Sequence, residues 1–217
     1  MHRSLLPWLR RLGLTILIAA QPVFAAEPDY FVVVDTSTLN GSIGYLDFQL
    51  NPGVATAAAV TAQIEFGGLF TTVLQGGPII EGDVVLGSPP PLSFTMINST
   101  AFNDLLQPVQ FGHRFDFRLR FSGDFLTASG GDATAFALTL LGPDQTTTLL
   151  TTDPNGTIAT FDLAPGGNIA ISTFSASPVL PSVVSISPVP EASEYMMMLA
   201  GLLLVGAVAK NNRSRCG

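Results

Sequence analysis

The sequence predicts an all-β domain, an antiparallel β-sandwich of jelly-roll-like or immunoglobulin-like kind, flanked by an N-terminal signal peptide and a C-terminal transmembrane helix. Three observations carry this prediction. One stretch alternates strictly between apolar and charged residues, turn-forming residues recur roughly every 8–12 positions, and both chain ends pair a short apolar run with a basic cluster.

Residues 1–25 read as the signal peptide. His2, Arg3, Arg10 and Arg11 form its charged start, and Leu12 to Ala20 form its apolar run. Val23 and Ala25 place small residues where signal peptidase reads them, so cleavage is expected after Ala25, leaving Ala26 as the first mature residue. The apolar run is short for a membrane span, and Gln21-Pro22 breaks it.

From Ala26 to Ser175 the chain reads as strands and turns. His113 to Phe121 is the clearest strand: Phe115, Phe117, Leu119 and Phe121 share one face, while Arg114, Asp116, Arg118 and Arg120 share the other. Tyr30–Asp35 is β-branched and aromatic, as strands favour. Further strands are expected at 44–50, 58–66, 70–74, 92–97, 135–141, 146–151, 157–163 and 168–174. Asn40-Gly41, Gly76-Gly77, Gly130-Gly131, Asp153 to Gly156 and Gly166-Gly167 supply turns between them. Asn103–Gln107 is expected as a single helical turn. Residues 176–189 are punctuated by Pro and Ser and read as a stalk, with an edge strand at 182–186.

Hydrophobic residues make up 47% of the 217 and charged ones only 12%, but the two ends account for much of that excess. Between Ala26 and Pro190 three arginines face fourteen acids, a formal charge of −11. Such a surface lacks the basic stripe that replaces phosphate counterions, which excludes a nucleic-acid partner. The only cysteine, Cys216, lies next to the C-terminal residue, so neither an intrachain disulfide nor a cysteine metal centre can form.

Catalytic motifs are missing. No Gly-x-Ser-x-Gly elbow occurs, and His113 is the only histidine after the signal peptide, at the start of a strand where an exposed edge position is expected. Glu65 with Glu81, or a pair of aspartates, is the only arrangement open to a secreted hydrolase. No cofactor is implied; calcium on the oxygen-rich turns at Asp132 and Asp153 is the one metal left to weigh. Arg114, Arg118 and Arg120 are the candidate contacts for an acidic polysaccharide, with pairing to this domain's own acids as the competing use. Trp8 leaves with the signal peptide, which takes away the strongest aromatic platform for sugars.

At the C-terminus, Pro190, Glu191 and Ala192 precede an apolar run over residues 195–209, and Lys210, Arg213 and Arg215 close the chain. As a helix that run would measure about 22 Å, against a hydrocarbon core of ~30 Å. Snorkelling by Lys210 and local thinning accommodate the difference. Basic residues favour the cytoplasmic side, leaving the domain on the exported side.

This order over residues 190–217 resembles the PEP-CTERM sorting signal of Gram-negative bacteria, with Ala192 in place of the second proline. Residues 34–53 are similar to the opening of some proteins that carry such tails. The resemblance implies recognition and processing by an exosortase, transient anchoring in the inner membrane, and a cell-surface or extracellular-matrix role associated with exopolysaccharide and biofilm. Together the readings point to an exported, non-enzymatic surface protein. A carbohydrate-binding module for acidic polysaccharide is the alternative, and a secreted hydrolase a more distant one.

Overall fold

The computed structural model describes residues 27–54, 57–89, 92–190, 198–199 and 201–203. The expected signal peptide with Val23, Ala25 and Ala26 lies outside the described residues. So do Glu191, Ala192, Lys210, Arg213 and Arg215 of the expected sorting signal.

The strands in chain order are β1 (Asp29–Asp35), β2 (Ile43–Pro52), β3 (Thr61–Gly68), β4 (Val73–Leu74), β5 (Ile79–Glu81), β6 (Val84–Leu86), β7 (Ser93–Ile97), β8 (Asp104–Gln110), β9 (Arg114–Ser122), β10 (Thr134–Leu141), β11 (Thr157–Ala164), β12 (Asn168–Thr173) and β13 (Val184–Pro188). They form two sheets. One runs β13-β1-β9-β3-β7-β6; the other runs β12-β11-β10-β2-β8-β4, with β5 also on β8. The strand pairings within both sheets are antiparallel. Pairing is nested: β1 with β9, β2 with β8 and β3 with β7, with β4 to β6 at the tip and the β10-β11-β12 meander added beside β2.

Alternation builds the core between the sheets. Phe115, Phe117, Leu119 and Phe121 on β9 are all fully buried, as their two-residue spacing requires. Leu46, Phe48 and Leu50 on β2 meet them from the opposite sheet. Phe48 sits at the centre, with its ring 5.5 Å from Phe117, 5.2 Å from Phe94 and 6.4 Å from Phe136. The edge-to-face angles of 82° and 71° to Phe117 and Phe94 suit the ring quadrupoles.

Several expectations are corrected. Residues 103–107 are not a helical turn: Asn103 is a buried polar hub and β8 follows it directly. The Asn103 amide donates to the carbonyls of Leu50 and Thr100 at 2.9 Å each, and its oxygen accepts from the Asp83 N–H at 2.9 Å. Asn103→Ala should leave those buried groups unpaired and cost about 2–3 kcal/mol in urea unfolding. Pro108 sits inside β8 without breaking the sheet. Its carbonyl accepts from the Gln75 N–H at 2.8 Å, which places its missing N–H opposite the gap between β4 and β5.

Residues 146–151 form no strand and keep a single bridge, Leu141 to Thr148. The Asp144 carboxylate accepts from the N–H groups of Thr146 and Thr147 at 3.2 and 3.0 Å, giving the backbone a local alternative to a ladder. Positive φ angles at Gln145 (61°) and Leu150 (59°) interrupt any extended run. In the same way Phe70 and Thr71, at φ 39° and 72°, shorten the expected strand at 70–74 to its last two residues.

The segment read as a stalk contributes β13, which pairs with β1 from Tyr30↔Pro188 to Val34↔Val184, and Val184 is buried. Of the apolar run at 195–209, the described residues 198–199 and 201–203 are helical and exposed. Among the described residues no helix is long and apolar enough to cross a membrane.

Candidate functional site: the arginine face

The outer face of the β1-β9-β3-β7 region gathers Arg114, Arg118 and Arg120, the arginines of the described residues. Register explains the gathering: Arg118 lies between Phe31 on β1 and Glu65 on β3, and Arg120 lies between Asp29 and Gln63. Arg118 clasps Asp29 with the Nε and Nη2 of its guanidinium; its Nε donates to the two carboxylate oxygens at 2.9 Å, and its Nη2 donates to Oδ2. Arg120 approaches the same carboxylate at 3.5 Å. Arg114 instead stacks its guanidinium 3.8 Å above the Phe70 ring. Asp116, between Arg114 and Arg118, departs from the expected solvent-facing pattern and is buried, with Gly67 and Gly68 packed against its carboxylate.

Beside Arg118 and Arg120 runs a shallow groove of about 240 Å³, lined by Gln63, Glu65, Ser93, Thr95, Val85 and Leu86 among others. Its hydroxyl, amide and charged groups can exchange hydrogen bonds with a polar chain. Arg118 and Arg120, however, already pair with Asp29, and Glu65 lies opposite Arg118, so much of their charge is compensated within the domain. An anionic ligand would have to compete with the carboxylate of Asp29, whose side chain is only 10% exposed.

A second groove, of about 250 Å³, lies where the two ends of the domain meet, between residues 27–30 and Pro188, Val189 and Pro190. The Val189 N–H donates to the Asp29 carbonyl at 2.8 Å, so the chain is held to the sheet up to the residue before Pro190. Pro190 is the one expected sorting residue within the described part, and it stands on the rim of this groove.

Glu65 and Glu81 are not brought together: β3 and β5 belong to different sheets. The carboxyls that do converge are Asp47 on β2 and Asp104 on β8. Gln49 pairs with Asp104 in register, which sets Asp47 diagonally beside it on the outer face of the second sheet. Burial, a hydrogen bond with Asp47 and the charges of Asp47 and Glu81 push the Asp104 carboxyl up to about 8. Asp47 is held from its other side by Gln49, whose amide donates to Oδ2 at 2.8 Å. Neither groove reaches this pair.

His113 is exposed just before β9. Asp153 closes its own turn, accepting from the Thr157 N–H and hydroxyl at 3.1 and 2.6 Å. Among the described residues no three His, Cys, Asp or Glu side chains converge on a point that a metal ion could occupy. Comparison with protein-family models, with curated proteins and with solved structures finds no match to this chain.

Proposed function

We propose that this chain is an exported, non-enzymatic surface or extracellular-matrix protein, anchored by its C-terminal segment and released or transferred when an exosortase processes the PEP-CTERM-like signal. The observation that carries the reading is where the sandwich stops. Among the described residues the first strand starts at Asp29 and the last ends at Pro188, side by side, so cleavage after Ala25 and near Pro190-Glu191 would leave all thirteen of these strands intact. Glu27 and Pro190, the described residues beside the two cleavage points, line one groove at a single corner of the domain. The nested pairing of β1/β9, β2/β8 and β3/β7 supports a jelly-roll-like assignment within the sandwich class.

Association with exopolysaccharide is part of the proposal. The stronger form of it, a dedicated site for acidic polysaccharide at Arg114, Arg118 and Arg120, is the weaker reading. These side chains are already engaged by Asp29 and by the Phe70 ring.

Mass spectrometry of the envelope and secreted fractions tests the proposal. The mature chain should begin at Ala26 and should lack peptides from residues 195–217, while a strain without exosortase retains them. Tail peptides present equally in both strains would reduce the tail to an ordinary anchor.

A further inference from the structure

Among the described residues the sandwich has one side left open. β12 and β13 are the outermost strands of the two sheets on the same flank, whereas the opposite flank ends in the short strands β4, β5 and β6. Edge strands usually carry charge, proline or a bulge that blocks pairing with another chain. β12 reads Asn-Ile-Ala-Ile-Ser-Thr and has none of these.

Its backbone groups can be assigned from register. The Phe174 N–H donates to the Ile158 carbonyl at 2.9 Å, so even-numbered residues of this strand turn their N–H and C=O toward β11. The N–H and C=O of Ile169, Ile171 and Thr173 therefore point along the open flank, and among the described residues no other group meets them. Ile171 pairs with Phe161 of the core, yet it remains 40% exposed because no described strand flanks it.

We propose that β12 is a self-association edge, on which a second copy of this chain adds its own β12 in antiparallel register about Ile171. The free groups sit at every second residue, symmetric about Ile171. In this register Ile171 meets its own counterpart, and Ile169 meets the second copy's Thr173, so each free donor finds an acceptor. The two Ile171 side chains cover one another on the core face. On the outer face Asn168, Ala170 and Ser172 are uncharged, so no like charges oppose a copy despite the acidity of the domain. A partner of opposite charge has nothing to recognise there. The two-fold axis is normal to the sheet and sends the two C-terminal ends in opposite directions. On the sorting reading above, the pair thus joins released copies, or copies on facing surfaces, and not neighbours anchored in one membrane.

Sedimentation of the full chain in detergent should show a dimer. Thr173→Pro removes an N–H that makes no ladder bond, so it should weaken the dimer at least roughly tenfold in Kd while leaving the thermal unfolding profile of the monomer, recorded at concentrations below that Kd, unchanged. With Cys216→Ser as background, Ile171→Cys should cross-link to itself on oxidation, and Val85→Cys on the opposite flank should not. A monomer at all accessible concentrations overturns the proposal, as does a dimer that survives Thr173→Pro or one that cross-links through Val85→Cys alone. None of these outcomes bears on whether the tail is processed, which the peptide masses decide separately.

Discussion

Phe117→Ala should remove about 3–5 kcal/mol of stability, a large share of the ~5–15 kcal/mol typical of a domain. The ring is fully buried and lies 5.5, 6.2 and 6.3 Å from Phe48, Phe66 and Phe115. Those neighbours come from both sheets, and the strands that hold them cannot close over the void without breaking their ladders. Arg118→Ala, the next residue on β9, should cost less than about 1 kcal/mol, since its pairing with Asp29 is solvent-exposed on the arginine side. Urea unfolding of the full chain and both variants measures the contrast. Equal losses would mean that β9 is not half-buried in this register, because a slip of one residue exchanges the two faces.

That strand was legible because one of its faces is dry and the other, Asp116 apart, reaches solvent. Four apolar side chains alternate with four charged ones, and only an antiparallel strand at a core boundary reconciles them. β8 lacked this signal for reasons visible in the structure. Gln107 is buried where an apolar residue would be expected, Pro108 argues against a strand, and Asn103 looks like the start of a helix. β5 and β6 are three residues long each, too short to display a period. Thr146–Thr151 misled in the opposite direction, because threonine's strand preference was outweighed by hydrogen bonds to a single aspartate.

The arginine face was half legible. Alternation puts Arg114, Arg118 and Arg120 on one side of β9. Their partners could not be read, because Asp29 is 89 residues from Arg118 and only the β1/β9 register brings the two together. The Asp47–Asp104 pair was hidden for the same reason, being set by the β2/β8 register alone.

That carboxyl pair should make the domain less stable as the pH rises. The Asp104 carboxyl titrates near 8 in the folded protein, against ~3.9 in an unfolded chain. A raised folded value means that the stabilising contribution is complete below about pH 4. It is lost as the pH climbs toward 8, because the folded state must hold a proton that the unfolded state has released. Burial contributes most to the shift, followed by the hydrogen bond to Asp47 and the charges of Asp47 and Glu81. Oδ1 of Asp47 and Oδ1 of Asp104 are both buried without a donor, and a proton shared between the carboxyls is what the site lacks at high pH. Asp104 is only half-buried, so solvent screens the interaction and the loss amounts to about 1–3 kcal/mol. Asp104→Asn supplies a permanent donor toward Asp47 and removes the titration. At pH 4.5 the variant and the natural chain should unfold at nearly the same urea concentration, and at pH 8.5 the variant should be the more stable by that margin. A difference that stays constant across the two pH values would show that Asp104 does not hold a proton in the folded domain.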